Sequence, residues 1–235
     1  MAIRRVNVVS SLAAQPLFKG MPAHELARIA AATQLRRISR GEDLFRAGQP
    51  CEGLYVLVEG LVKLYAKGPG GQEKVIEVIP AGGCVCEALM FSDVQHDMNA
   101  SVLMDAQLLV VPRDVLVQEI EHNAGLAMRM LTGLSRRFNS LVKDIEAVTL
   151  HSGVQRVVQY LLHAPVVAES GGPGPGKEED VTVSLPASKG TIASLLSVTP
   201  EHFSRILHDL QARGLIEVQR RHIHILDAQE LARCT

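Results

Sequence analysis

The spacing of apolar residues changes twice along the chain, and each change predicts a different kind of structure. Residues 22–34 follow helical spacing after Pro22 and predict a short helix. Residues 36–112 carry short apolar runs between glycine-rich turns, the pattern of antiparallel strands in a sandwich or barrel. After Pro112 the spacing becomes helical again and stays so to about Leu150.

Two turns organise the predicted β-region, one at Glu59–Gly60 and one at residues 68–71. The first turn would separate a strand at 54–58 from a strand at 61–65, and residues 102–111 would add one or two more strands. The sequence therefore predicts a series of short hairpins.

The helical stretch from 113 to 150 has apolar side chains at alternating steps of three and four residues over more than three heptads. A seam of that length usually pairs with a second copy, which predicts a dimerisation helix. Packing against the chain's own β-region is the alternative. The predicted dimer contacts are Leu131, Leu134, Phe138, Leu141, Ile145 and Val148.

The C-terminal third predicts a second small domain. Its predicted elements are a helix at 153–163, a Gly/Pro-rich loop at 170–176, a strand at 181–185, helices at 188–196 and 200–213 with Gly214 as cap, and two strands around Arg220–Arg221. Helix, turn, helix and a two-stranded wing make a winged helix-turn-helix.

The predicted fold class is therefore α+β, in three parts. Residues 1–112 form an antiparallel β-roll with its leading helix, residues 113–150 the dimerisation helix, and residues 151–235 the winged helix-turn-helix domain.

The 235 residues carry a net charge of −1, so no global basic field points to nucleic acid. The charge is nevertheless segregated, because residues 1–40 hold seven basic and one acidic side chain while residues 41–128 hold five basic and thirteen acidic ones. Any contact with nucleic acid must be local. An aromatic content of 3% with no Trp argues against binding by base stacking.

No apolar run reaches the length of a membrane span, and the N-terminus lacks a signal-peptide pattern. A cytoplasmic protein with no membrane partner is therefore expected. Four cysteines, Cys51, Cys84, Cys86 and Cys234, are too sparse for a disulfide framework and fit no zinc-finger spacing, so reduced thiols are expected.

The helix that begins at Pro200 carries the sharpest functional signal. Helical spacing turns one apolar set inward, Phe203, Ile206 and Leu207, and one polar set outward, Glu201, Ser204 and Arg205. Arginine can bond guanine O6 and N7, glutamate can accept from cytosine N4, and serine can contact thymine. The outward set predicts base readout, and a solvated Glu–Arg pair is the alternative.

With these residues the chain resembles the CRP/FNR family of dimeric bacterial transcription regulators over nearly its whole length. The Glu-x-x-Ser-Arg pattern that ends at Arg205 is similar to the recognition motif of the fumarate-nitrate regulator branch, which implies a palindrome of TTGAT-type half-sites. Segments 71–74, 87–91 and 156–162 resemble the Dnr-like, nitric-oxide-responsive branch.

The resemblance implies a transcription regulator that acts as an activator or a repressor, not an enzyme, with double-stranded DNA, RNA polymerase and a second copy of the chain as partners. Lys189, Arg220 and Arg221 are expected to contact phosphates, which position a protein on DNA without specifying sequence. No Ser/His/Asp set, carboxylate pair or phosphate-binding loop suggests a catalytic site.

Relatives that bind cyclic AMP use a Gly-Glu and an Arg-Ser pair, where this chain has Cys86–Glu87 and Asp97–Met98. Cyclic AMP is not expected, because a buried phosphate needs cations and no Lys or Arg lies between Lys74 and Arg113. A cyclic-nucleotide-binding module is thus a disfavoured alternative. An iron–sulfur cluster is not expected either, since residues 1–50 contain no cysteine.

The effector pocket is expected between the roll and the dimerisation helix. Its predicted lining is Glu87, Leu89, Met90, Phe91, Met98, Met130, Leu131 and Leu134. This polarisable set could hold haem, with His96 or another histidine as axial ligand, and so sense nitric oxide. A filled core is the alternative.

Cys84 and Cys86 offer a different signal. Two residues apart on a strand, their thiols would face the same way and could form a redox switch. Buried, inert cysteines are the alternative, because a reactive thiolate needs a cationic neighbour.

Overall fold

The computed structural model describes residues 7–87, 89–91, 95–164 and 181–234. The chain divides into two units, Met1–Leu141 and Val142–Thr235, and the boundary falls inside a helix.

Two short helical elements precede the helix predicted at 22–34. Helix α1 spans Val8–Ala13, and a 3-10 turn spans Pro16–Phe18. Helix α2 spans Ala23–Ala32. Leu12, Phe18 and Ile29 are buried against the β-region, so the N-terminal helices belong to its core.

The β-region of the first unit is one antiparallel sheet that folds into a roll. Its strands are β1 (Gln34–Ile38), β2 (Asp43–Phe45), β3 (Gly53–Lys67), β4 (Glu73–Pro80), β5 (Cys84–Val85) and β6 (Asn99–Pro112). The order is β1-β6-β3-β4, with β2 paired to β6 and β5 paired to β3. The inward faces of β3 and β6 supply most of the roll's apolar core.

The predicted turn at Glu59–Gly60 is wrong, because β3 continues through it as one long strand. The pairing of β3 with β6 shifts register on both sides of the glycine, so the extra residue is accommodated as a bulge. Gly60 has φ +100°, and a Cβ atom there would lie 2.5 Å from the Asp105 carbonyl oxygen. The glycine therefore allows close approach of two strands and does not end one.

The helix predicted at 113–150 is two helices. Helix α3 spans Arg113–His122 and helix α4 spans Ala124–Leu150. Asn123 between them is extended, and its Oδ1 accepts a hydrogen bond from the Leu126 amide at 2.9 Å, which caps α4. The apolar spacing continues across this break, so periodicity alone does not reveal it.

The second unit follows the predicted order of elements. These are α5 (Gly153–His163), β7 (Val181–Ser184), α6 (Lys189–Leu195), α7 (Pro200–Ala212), β8 (Ile216–Gln219), β9 (His222–Ile225) and α8 (Ala228–Ala232). The strands pair antiparallel in the order β7-β9-β8. Gly214, at φ +72°, follows α7 as the predicted cap. The loop predicted at 170–176 lies outside the described residues, and α8 was not predicted.

These elements confirm the α+β fold class, with an antiparallel roll in one unit and a helix-turn-helix with a β-hairpin wing in the other. Within the described residues, no helix has the length and apolar character needed to cross a membrane.

Candidate DNA-binding surface and effector cavity

Helix α7 is fixed in place by its apolar face and by its N-terminal cap. Thr199 Oγ1 accepts a hydrogen bond from the His202 amide at 3.2 Å, and Pro200 occupies the first turn. The residues predicted to point inward, Phe203, Ile206 and Leu207, are at most 3% exposed. The buried face therefore sets which side chains of α7 point to solvent.

The predicted outward set of α7, Glu201, Ser204 and Arg205, is exposed. Among the described residues Arg205 has no hydrogen-bond or ion-pair partner, so its guanidinium is available to a ligand. Hydrogen bonds from its own backbone amide and from the Thr199 hydroxyl hold the pKa of Glu201 below its usual value. Glu201 is thus ionised at neutral pH and can accept a hydrogen bond.

Arg156 anchors the turn between α6 and α7, a role that was not predicted. Its Nε and Nη2 donate to the carbonyls of Leu196 and Ser197 at 2.8 and 3.2 Å, and its Nη1 donates to the His151 carbonyl at 2.6 Å. Ser197 has φ +56°, an uncommon backbone conformation for serine. The sequence of segment 156–162 does not predict this role, because spacing along one helix cannot reveal contacts to a distant turn.

The predicted phosphate contacts Lys189, Arg220 and Arg221 are all exposed. Lys189 is the first residue of α6, directly after the N-cap Ser188. Arg220 lies in the tight turn between β8 and β9 with φ +58°. Their exposure is compatible with phosphate contact, which remains a prediction.

A cavity of about 590 Å³ lies in the first unit beside helix α4. It is bounded by the 3-10 turn, by residues 82–84 with Glu87, and by α4 itself. Three residues of the predicted pocket line it: Glu87, Met130 and Leu134.

Four other residues of the predicted pocket do not line the cavity, so that part of the prediction is wrong. Leu89 packs against the core of the roll, while Phe91 and Leu131 are exposed. Met98 is partly buried and does not line the cavity. The side chain of Met90 is outside what the structure describes. The chain forms a 3-10 segment at Leu89–Phe91, and its two ends differ, because Leu89 packs on the core while Phe91 is exposed.

Four cations line the cavity, and all of them lie outside the segment between Lys74 and Arg113 that contains no Lys or Arg. They are Lys19, Arg129, Arg136 and Arg137. Arg137 pairs with Glu77 and lies 3.5 Å from Glu87, between Nη1 and Oε2. The absence of Lys and Arg between residues 74 and 113 therefore does not leave Glu87 without a cation, because α4 supplies one across the fold.

Arg129 is partly buried beside the cavity. Its Nε donates to the Leu17 carbonyl at 2.8 Å. Its Nη2 is buried and has no hydrogen-bond partner among the described residues. A buried guanidinium nitrogen without an acceptor favours an anionic ligand in this cavity.

Cys84 and Cys86 do not face the same way, so their predicted pairing is wrong. Strand β5 ends at Val85, and Cys86 has φ +76°, which breaks the alternation of a strand. Cys84 packs with the N-terminal helices and lines the cavity, whereas Cys86 lies in the core of the roll. Burial raises the pKa of Cys84 to about 12 and also raises the pKa of Cys86, so neither thiol is ionised at neutral pH.

His96, the suggested haem ligand, is separated from the cavity. It is 3% exposed, and its ring stacks on Phe45 with 3.7 Å between ring centroids. It is absent from the cavity lining. Burial lowers the pKa of His96, which leaves the imidazole neutral.

Helix α4 exposes a series of large apolar side chains. In the first unit these are Met128, Leu131, Phe138 and Leu141, and in the second Val142, Ile145, Val148 and Leu150. Five of the six predicted dimer contacts belong to this series, and the sixth, Leu134, lines the cavity instead. Exposed apolar positions in such number are typical of an interaction surface.

Two family descriptions match the two units. The cyclic nucleotide-binding domain matches residues 35–123, and the Crp-like helix-turn-helix domain matches residues 155–234. The chain belongs to the CRP/FNR family of DNA-binding transcription regulators, which are not enzymes.

Individual relatives support this assignment. The crystal structure of DNR from Pseudomonas aeruginosa is 32% identical, with 100% of both chains covered and a TM-score of 0.51. The CRP-like cAMP-activated global transcriptional regulator of Mycobacterium tuberculosis is 24% identical over 94% of this chain and 97% of the relative. FixK2 from Bradyrhizobium japonicum, at 18% identity and a TM-score of 0.72, covers 86% of this chain and 96% of its own, and supports the fold alone.

Proposed function

We propose that this regulator binds a TTGAT-like palindrome as a homodimer and responds to an anionic effector in the cavity beside α4. The observation that carries DNA recognition is the pattern of α7, in which three ionised or hydrogen-bonding side chains face solvent above a fully buried apolar face. A helix presented in this way matches the recognition helix of a helix-turn-helix protein.

The exposed side chains of α7 have complementary roles toward base edges. Arg205 has two donors for guanine O6 and N7, Glu201 accepts from cytosine N4, and Ser204 contacts the thymine edge. Lys189, Arg220 and Arg221 neutralise phosphates around this helix. RNA polymerase is the expected protein partner of an activator of this family.

Dimerisation follows from the exposed apolar series on α4. Pairing of two copies would remove these side chains from water, and burial of each large apolar side chain would stabilise the dimer by about 1.5–3 kcal/mol. A two-fold dimer presents two recognition helices about 34 Å apart, one turn of DNA, which requires a palindromic site.

The effector is proposed to be haem that reports nitric oxide, as the Dnr-like resemblance implies. The cavity's size, its cations and the unpartnered Arg129 nitrogen fit a molecule with carboxylates. Cys84 and Met130 are the sulfur donors in the lining, and no histidine lines the cavity within the described residues. Arg129 and Lys19 would hold the propionates, and bound haem iron would supply the gas-binding centre.

The DNA proposal is tested with a fluorescent duplex that carries the TTGAT palindrome. A duplex of equal length with one scrambled half-site is the control. We expect tighter binding to the palindrome, with two chains per duplex in sedimentation velocity. Equal affinity for both duplexes, or one chain per duplex, would contradict the proposal.

The effector proposal is tested by absorption spectroscopy of the protein reconstituted with haem, with and without nitric oxide. We expect a Soret band that shifts with the gas and is weakened in Met130→Leu or Cys84→Ser. Cyclic AMP is a second candidate effector, because cations lie around Glu87. Titration of the protein with labelled cyclic AMP tests this candidate. Saturable cyclic AMP binding with no haem uptake would replace the first effector by the second.

A further inference from the structure

Cys51, Cys86 and His96 meet inside the roll although they come from three separate segments. Cys51 precedes β3, Cys86 follows β5, and His96 precedes β6. One donor atom from each lies within 4.8 Å of the other two. Cys86 Sγ and His96 Nδ1 are 3.7 Å apart.

The backbone holds these residues together independently of their side chains. Pro50 and Gln95, the neighbours of Cys51 and His96, form a β-bridge. The His96 amide donates to the Gln49 carbonyl at 2.9 Å, and the Gly48 amide donates to the His96 carbonyl at 2.7 Å. The site is thus assembled before any ligand arrives, which lowers the cost of binding one.

The conformation of Cys86 directs its thiol into this group. Strand β5 pairs with β3 through Val85 and Tyr55, and the chain then takes φ +76° at Cys86. A left-handed conformation is uncommon for residues other than glycine, asparagine and aspartate, and such strain is often found at ligand-binding sites. The result is a thiol in the roll core beside Cys51.

His96 completes the donor set with a neutral ring. It is 3% exposed and is held by stacking on Phe45. Its outer nitrogen, Nε2, has no hydrogen-bond partner among the described residues, and Nδ1 is the ring nitrogen that faces the thiols. In the tautomer with the proton on Nε2, the lone pair of Nδ1 is available to a ligand.

We propose that Cys51, Cys86 and His96 bind a thiophilic divalent ion of the zinc type. Two sulfurs and an imidazole are the donors that zinc prefers, and three protein ligands leave a fourth position for water or a small ligand. A tetrahedral ion with zinc-like bond lengths separates a sulfur and a nitrogen donor by about 3.6 Å, close to the separation of Cys86 Sγ and His96 Nδ1. Binding replaces both thiol protons, so two protons leave for each ion bound.

The site is distinct from the cavity beside α4, since none of its three residues lines that cavity. The three-residue site and the cavity are nevertheless adjacent in sequence, because Cys86 immediately precedes Glu87, which lines the cavity and is the partner of Arg137. The proposal does not depend on the DNA site or on the proposed effector.

The experiment is a titration of the reduced, chelator-treated full-length protein with Co²⁺, followed by displacement with Zn²⁺. We expect one Co²⁺ per chain, a thiolate-to-cobalt charge-transfer band, and loss of that band when Zn²⁺ is added. Cys51→Ser, Cys86→Ser and His96→Gln should each weaken binding at least tenfold, while the matched variant Cys234→Ser should bind like the parent protein.

Circular dichroism establishes which variants are folded, and Cys51→Ala is a second variant should Cys51→Ser not fold. Absence of the charge-transfer band in the folded parent protein would overturn the proposal. Equal loss of binding in Cys234→Ser, or a Cys51–Cys86 disulfide in a protein that takes up no metal when reduced, would overturn it as well. Palindrome binding is measured on the same samples, so failure of the metal site is distinguishable from failure of DNA recognition.

Discussion

Arg205 on α7 and Arg137 on α4 represent two opposite uses of the same side chain. Arg205 is exposed and has no partner within the described chain, whereas Arg137 is partly buried between Glu77 and Glu87. The first is displayed by the periodicity of one helix, and the second acquires its surroundings from residues 50 to 60 positions away. The exposure of a side chain that contacts an external ligand can be predicted from the spacing of residues along one helix. The surroundings of a side chain inside a cavity cannot be predicted in this way.

Arg156 provides the most severe test of this contrast, because it lies in the DNA-binding unit and yet acts inward. Arg156→Met leaves three backbone carbonyls without their charged donor. We expect a loss of about 3 kcal/mol in the free energy of unfolding of the second unit. Each hydrogen bond to a charged group contributes about 1.5–3 kcal/mol, and the three half-buried carbonyls recover part of this sum through hydrogen bonds to water. Urea denaturation measures this, with the exposed Arg213→Met as control. A change equal to that of the control would contradict the anchoring role.

Arg205→Ala tests the outward use. Loss of a bidentate contact to guanine should cost about 1–3 kcal/mol in binding to the palindrome and relax discrimination at that base pair. Fluorescence anisotropy with the palindrome and with single-base variants measures both effects. Arg213→Ala is the matched control. A loss that is the same on every duplex would show that Arg205 contacts phosphate and does not read a base.

Arg137→Gln tests the inward use in the first unit. The pairs with Glu77 and Glu87 are partly exposed, so we expect a stability change below about 1 kcal/mol. Binding of haem should weaken about tenfold, equivalent to about 1.4 kcal/mol, because the cavity loses a cation. Arg28→Gln, whose partner Glu119 is outside the cavity lining, should bind haem like the parent protein. Unchanged affinity in Arg137→Gln would remove this arginine from effector binding.

Replacement of Glu119 has the smallest expected effect, a change in the free energy of unfolding that depends on pH. The paired hydrogen bonds from Arg28, at 2.6 and 2.8 Å, hold the pKa of Glu119 below its usual value. The pair therefore stabilises the fold above the usual glutamate pKa of about 4.3, and this contribution is lost as the pH falls through the lower pKa of the folded state. Glu119→Gln should be less stable than the parent protein at neutral pH but not in acid. Glu121→Gln, on the same helix, is the control, and a difference that persists in acid would refute the ionic origin.

The predictable features of the fold are those in which a local signal and the packed structure agree. The helix from Pro200 has a cap, a proline in its first turn and an apolar face, and the structure retains all three. The turn at 68–71 joins β3 and β4, which pair antiparallel from Lys67 opposite Glu73 to Tyr65 opposite Val75. Here the local preferences of the residues and the tertiary contacts favour the same conformation.

The unpredicted features depend on contacts between distant segments. Gly60 reads as a turn residue, yet it continues a strand because the backbone at Asp105 passes so close. Cys86 reads as the partner of Cys84, yet one left-handed backbone angle turns it toward Cys51. In both cases a neighbour that is remote in sequence determines the outcome.

In the proposed dimer, the water-facing side chains of α4 link the stability of the fold to the amount of protein present. Phe138 and Ile145 are 67% and 68% exposed in a single chain. Association of folded chains that covers these side chains shifts the folding equilibrium toward the folded state by mass action, because unfolded chains do not associate in this way. The melting temperature of this regulator should therefore rise with its own concentration, and a cell that makes more of it would contain chains that are more stable as well as more numerous.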